Sequence, residues 1–308
     1  MANKSQIKSY WKNNWQLYAF LLPSIIFIII FAYIPMGGIV LAFKDYDFTK
    51  GIFGSPWVGF ENFERFFSAY NFWPLLWNTI SLSLYGLIAG FPFPIILALI
   101  LNAFPCLKFK KVVQTVSYMP HFISTVVMVG MLMQLFNPRT GAFGVIYQII
   151  TGGQMMTDWF GEPGAFQHLY VWSGIWQGIG WGSIIYIAAL SGVDESLHEA
   201  AIIDGASRFQ RVIYIDIPCI LPTMVIMLIL NAGSIMNVGF EKTYLMQNSL
   251  NISRSEVIST YVYKVGMVIG TGDYPYSTAI GLFNSVINFI MLILVNSISK
   301  RLTESSLW

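Results

Sequence analysis

Charge is scarce in this sequence. Of its 308 residues, 17 are Lys or Arg and 15 are Asp or Glu, 10% in all, where soluble domains carry about 25%. A soluble fold of this size would have too little polar surface to wet. Disorder is excluded from the other side, because it requires low hydrophobicity and high net charge, whereas 56% of the residues are hydrophobic and the mean hydropathy is +0.62. A formal net charge of +2, spread along the chain, gives no footprint for nucleic acid. Cysteine and histidine are also few. Cys106 and Cys219 form no disulfide framework and read as unpaired packing residues. His121, His168 and His198 show no ligand spacing, so no metal site is expected. There is no G-x-x-x-x-G-K-[ST] phosphate loop, so the chain carries no P-loop ATPase of its own and no cofactor is expected within it.

What remains is apolar length. Six charge-free windows run over Leu17–Phe43, Leu75–Phe104, Val112–Phe136, Leu169–Ser191, Ile217–Phe240 and Tyr274–Ser299, and every charged residue falls outside them. Each exceeds the roughly 20 residues that cross about 30 Å of hydrocarbon. Helices satisfy their backbone groups internally there, and no alternating ten-residue pattern of a membrane barrel is present. The expected fold is therefore all-α, polytopic, with six transmembrane helices. Pro92 and Pro94 should bend the second. Residues 1–16 form an N-terminal segment, 17–299 the membrane domain and 300–308 a tail. The first apolar run is longer than a signal-peptide core and no A-x-A site follows it.

The positive-inside rule orients the chain. With the N-terminus inside, the segments 1–16, 105–111, 192–216 and 300–308 hold ten basic residues in 57 positions; 44–74, 137–168 and 241–273 hold seven in 96. Both termini are thus expected in the cytoplasm. The spans contain no Asp, Glu, Lys or Arg, which argues against a proton-coupled symporter and leaves Na⁺ coupling through carbonyls and hydroxyls conceivable. Asp45-Tyr46-Asp47 resembles a metal–nucleotide D-x-D, but lies on the outer side and reads as a solvated loop.

The inside loop 192–216 breaks the charge rule, with Asp194, Glu195, Glu199, Asp204 and Asp216 against Arg208 and Arg211. Acidic residues followed by Leu197 and Glu199-Ala200-Ala201 predict a short helix. Gly205 ends it, and a second segment stops before Pro218. The pattern E-A-A-x₃-G-x₉-I-x-L-P stands here as Glu199-Ala200-Ala201, Gly205, Ile215 and Pro218, with Ile217 in place of Leu. In this the chain resembles the integral membrane permease subunits of bacterial ABC importers. Gly59-Phe60-Glu61-Asn62-Phe63, and Asn237 through Asn248 followed by Glu256 through Tyr261, narrow the resemblance to the carbohydrate branch, maltose-type permeases for complex sugars and oligosaccharides.

That resemblance implies the type I importer fold and a binding-protein-dependent import of carbohydrate. It implies a location in the bacterial cell membrane and a second, related permease as heterodimer partner. It further implies two ATPase subunits that carry ATP and Mg²⁺, and an extracytoplasmic solute-binding protein. Glu199, Ala200, Ala201, Asp204, Gly205, Ile215 and Pro218 would couple to the ATPase. A stand-alone secondary sugar transporter and a membrane enzyme acting on lipid-linked sugars are the other readings weighed.

For the substrate path, aromatic faces and neutral hydrogen-bonding groups suit a neutral solute. Trp172, Trp176 and Gln177 of the fourth span, and Asn231, Ser234 and Asn237 of the fifth, are the candidates, although polar side chains in a span also serve helix packing. Gly174, Gly178 and Gly182 form a doubled G-x-x-x-G for which close helix packing is expected first and a flexing gate second; Gly86 and Gly90 read the same way. Phe60, Phe63, Phe66 and Phe67 lie on one face of an expected interfacial helix, with contact to a partner as its alternative.

Overall fold

The structure, a computed structural model, describes residues 4–268 and 272–303. The outermost parts of the two expected cytoplasmic ends, 1–3 and 304–308, lie outside them. The described residues are helical throughout, and their one strand-like feature is an isolated bridge between Lys44 and Trp57. The chain divides into two compact units. One holds residues 1–68 and 265–282, the other 69–264 and 283–308.

In the first unit, α1 (Lys4–Ile28) continues through a π turn and a 3₁₀ stretch to Phe43. Lys44 then donates to the carbonyls of Ile52 and Phe53 at 2.8 and 3.1 Å, closing the loop that follows. The Phe face expected to lie at a membrane interface belongs to α2 (Glu61–Phe67); Phe60 and Phe67 stay exposed, and the other two turn inward. Phe66 is fully buried and Phe63 packs on Phe43 at 5.4 Å. Arg65 on the same helix pairs with Asp273 at 2.6 Å and sits 4.1 Å from the Tyr276 ring.

The second unit begins with α3 (Phe72–Gly90) and α4 (Pro92–Ala103). α3 and α4 part at Phe91, just before Pro92 and Pro94, yet Phe91 keeps helical angles and its N–H still reaches Leu87. The two helices run as one apolar segment, Phe72–Ala103. The third expected span departs from a straight rod. Its helices α5 (Leu107–Tyr118) and α6 (Thr125–Leu135) belong to segments that meet at 98°. Pro120 sits in a 3₁₀ turn, Ile123 turns extended, and Ser124 caps the new helix by accepting from Val127 at 3.3 Å. After α7 (Ala142–Ile150) comes α8 (Pro163–Leu190), then α9 (Glu195–Ile203), α10 (Arg208–Arg211), α11 (Ile217–Gly233), α12 (Phe240–Met246) and α13 (Ile258–Tyr263). The last helix, α14 (Tyr274–Thr303), contains the sixth expected span.

Four helical segments among the described residues are long and apolar enough to cross a membrane: Asn14–Phe43, Phe72–Ala103, Arg208–Gly233 and Tyr274–Arg301. The bent pair makes a fifth if it is one span. The count of six is reached only with α8. Its 28 residues extend about 42 Å, but Gln167, His168, Gln177, three tryptophans and five glycines dilute its apolar character.

α8 is the centre of this unit and packs against α3, α4, α5 and α11. One apolar cluster joins Leu82, Met128, Phe166, Leu169 and Met246; another joins Ile95, Leu99, Tyr186, Leu190 and Ile220. Burying such groups gains little against lipid tails, so helices there are held by close approach and van der Waals contact. Gly180 provides that approach, since a Cβ on it would collide with the carbonyl of Ser117 on α5. Gly182 does the same against Pro94 at 3.1 Å, whereas Gly178 and Gly86 face open space. The expected packing role thus holds at Gly182, Gly180 adds a closer contact beside it, and Gly178 and Gly86 make room.

Gly180→Ala should therefore destabilise the protein by about 1–3 kcal/mol, as overpacking does. Gly178→Ala should be neutral or stabilising by up to about 1 kcal/mol. Thermal unfolding of the purified chain in detergent checks the pair, and equal midpoints for the two variants contradict the packing assignment.

Candidate functional site

The loop 192–216 is built from local signals. Asp194 caps α9, its carboxylate accepting from the Ser196 N–H at 2.9 Å. That backbone hydrogen bond and one from the Ser196 side chain hold the Asp194 carboxyl below the usual range. A carboxyl lowered in the folded state stabilises above its unfolded pKa, and the contribution fades as pH falls through the folded value. At the other end, Ala206 donates to Ala201 at 2.8 Å and Gly205 to Ile202 at 3.0 Å. This is the paired hydrogen-bond arrangement of a helix stop that needs a left-handed residue, and Gly205 has φ of +78°. Ser207 and Gln210 then form a reciprocal capping box that starts α10. Residues Val212–Asp216, with Ile215 among them, form a π turn leading into α11, and Pro218 occupies its first turn.

On α9, His198 and Ala201 are three residues apart on one face and are half-buried. Glu199, Ile202 and Ile203 are exposed. The inward face is fastened to the spans. His198 Nε2 lies 3.3 Å from Asp216 Oδ1, which also accepts from Asn102 Nδ2 at 3.3 Å. Lys110 donates to the Asn102 carbonyl at 3.1 Å. Asp216 is buried at the base of α11, and His198, Asn102 and Asp216 border a polar cavity of about 330 Å³. The outward side is apolar where it could have been polar: Ile203 is 86% exposed, Phe209 73% and Tyr214 76%. Glu199, Ala200, Asp204, Gly205 and Pro218 are exposed with them, while Ala201 and Ile215 are half-buried.

A second cavity, of about 440 Å³, lies between α3, α8 and α11. Asn231, Ser234 and Asn237 line it, together with Gly86, Gly90, Gly174, Gly178 and Gly182. Ser83 and Tyr170 add hydroxyls, and the Ser83 hydroxyl is buried without a hydrogen-bond partner. All lining side chains are uncharged. Asn237 has a structural duty as well, accepting from Asn288 at 3.0 Å and from Asn284 at 3.3 Å.

Trp172, Trp176 and Gln177 are not brought to this cavity. Residues two apart on a helix point about 200° apart, so the stripe of Trp172 and Trp176 opposes that of Gly174 and Gly178. Trp172 donates to the Tyr85 hydroxyl at 2.9 Å, Gln177 to the Ile123 carbonyl at 2.8 Å, and Trp176 is exposed. Trp181, further along, stacks on His121 at 4.4 Å.

One charge reaches the cavity wall from behind. Lys242, on α12 beyond the fifth expected span, is only 9% exposed. Its ammonium donates to the Tyr170 carbonyl at 2.6 Å and lies 4.6 Å from the Tyr170 ring centre. Burial pulls its pKa down to about 8. The sequence reading counted it with the outer-loop basic residues; only the fold shows where it lies. His198, Asp216 and Asn102 were missed likewise, since no spacing joins them.

Over residues 12–304 the chain matches the family described as binding-protein-dependent transport system inner membrane component. It is 41% identical to Protein LplB of Bacillus subtilis (strain 168), across 96% of this chain and 92% of that one. It is 40% identical to the polygalacturonan/rhamnogalacturonan transport system permease protein YteP of the same organism, across 95% and 90%. It also superposes with a TM-score of 0.87 on a chain of the crystal structure of a bacterial alginate ABC transporter in complex with an alginate pentasaccharide-bound periplasmic protein. That match is 36% identical and covers 97% of this chain and 99% of that one.

The glycine-walled cavity can be tested directly. With Cys106 and Cys219, both exposed, replaced by Ser, Asn231→Cys should react with a small water-soluble thiol reagent. Gly178→Phe, whose side chain points into open space, should slow that reaction at least tenfold. Unchanged labelling in the double variant contradicts the cavity.

Proposed function

The chain belongs to the family of binding-protein-dependent transport system inner membrane components, and from that membership we propose that it is the permease subunit of an ATP-driven importer of an oligosaccharide. The relatives' names support the substrate class: one is a permease for polygalacturonan/rhamnogalacturonan, and the solved transporter carries alginate. The neutral hydroxyls and amides around the larger cavity are the groups that bind sugar hydroxyls.

In this reading the chain lies in a bacterial cell membrane with both termini in the cytoplasm. It pairs with a second, related permease, and an extracytoplasmic binding protein delivers the sugar. Two ATPase subunits dock on the loop 192–216. The observation that carries this is the loop itself. Ile203, Phe209 and Tyr214 are exposed on a short, well-capped helical hairpin, and exposed apolar clusters mark contact surfaces. Glu199, Ala200, Asp204 and Gly205 form the presented part, with Ala201 half-buried behind them, and the small alanines let a partner approach closely. His198, Asp216 and Asn102 then carry displacement of α9 to the ends of α11 and α4. Ile215 and Pro218 set the junction with α11. Pulled by ATPase closure, these helices alternate the cavity between the two sides. Asn231, Ser234 and Asn237 line that cavity, and Trp172, Trp176 and Gln177 line the path on the side of the second permease.

A β-branched residue at the left-handed position of Gly205 costs at least about 1–2 kcal/mol locally and misplaces the hairpin. Gly205→Val should reduce sugar uptake at least tenfold and weaken ATPase capture in a pull-down, while membrane insertion is unchanged. Normal uptake with normal ATPase capture would overturn the docking assignment.

A further inference from the structure

Lys242 raises a question that the neutral lining of the cavity does not answer. Buried lysines are ordinarily paired with a carboxylate, and among the described residues no carboxylate lies within 4.0 Å of this one. Its contacts are the carbonyl and the ring face of Tyr170, which orient an ammonium without cancelling its charge. Two neighbours of Nζ line the cavity: Tyr170, and Gly174, on which a Cβ would lie 3.2 Å from Nζ. The missing side chain at Gly174 therefore leaves the charge close to the open space. Low-dielectric walls that surround a cavity strengthen the field of such a charge inside it.

We propose that Lys242 makes one end of the cavity electropositive, and that the cavity accordingly takes an oligosaccharide bearing carboxylates, of the uronic-acid type. The proposal rests on the oligosaccharide reading above and sharpens it to a chemical class. The sugar's carboxylate approaches the wall formed by Tyr170 and Gly174, while Asn231 and Ser234 meet its hydroxyls.

A purely structural duty for Lys242 predicts something different. Tying α12 to α8 through the Tyr170 carbonyl requires a donor but not a charge, and glutamine would supply one. The two roles separate in a binding experiment. The transporter, with both permeases and its ATPases, is placed in lipid nanodiscs without the binding protein, so that the membrane subunits alone discriminate. Affinity is measured for a galacturonate pentasaccharide and for its carboxyl-reduced counterpart. The wild type should favour the galacturonate at least tenfold. Lys242→Gln should bring that preference close to one without weakening the reduced sugar, and Lys242→Arg should retain it. A wild type that binds both sugars equally overturns the proposal and leaves the oligosaccharide reading standing, as does a glutamine variant that weakens both equally. A wild type that binds neither sugar overturns both.

Discussion

Helices in hydrocarbon gain almost nothing by burying apolar side chains against one another, because the lipid is equally apolar. Close backbone approach must hold them, and this constraint shapes α8. Where Gly180 and Gly182 face α5 and α4, the missing side chains let the helices touch. One turn away, Gly178 is left without a neighbour, and with Gly174 it borders the cavity of about 440 Å³. A single glycine-rich helix thus supplies both the contact and the vacancy. Trp172 and Trp176 do not share the vacancy, since they occupy the opposite side of the same cylinder.

The second dependence is mechanical. The loop 192–216 would be of little use to a partner if it swung freely. Its helix is closed at both ends, by Asp194 and by the Gly205 turn, and its inner face is fastened through His198 and Asp216 to α11 and, through Asn102, to the end of α4. Those are two of the helices that border the larger cavity. The arrangement gives a continuous physical connection from the exposed apolar tip of the hairpin to the cavity wall.

Much of this was legible in the sequence wherever the signal was local. Charge-free runs located four long apolar helices, and the acidic start, the Glu199-Ala200-Ala201 run and Gly205 located the hairpin, because each depends on residues within a few positions. The 98° bend in the third span was not legible. Pro120 and Ser124 sit in a run that reads as continuously apolar, and the turn is set by how its halves pack. Nor was the His198–Asp216–Asn102 connection, whose members come together only through the tertiary fold, or the position of Lys242, which seemed an ordinary loop charge. The split between the tryptophan and glycine faces was within reach of simple helical arithmetic, yet aromatic side chains drew attention to the wrong stripe for this cavity.

In the proposed reading, scarcity of charge in the spans and a docking hairpin outside them put the energy source on another subunit. Sugar accumulation in sealed liposomes tests this most directly, with the chain, its permease partner and the ATPases in the membrane and ATP supplied on the ATPase side. Accumulation should follow ATP and persist when ionophores collapse every ion gradient. Accumulation driven by an ion gradient in the absence of ATP would contradict the account.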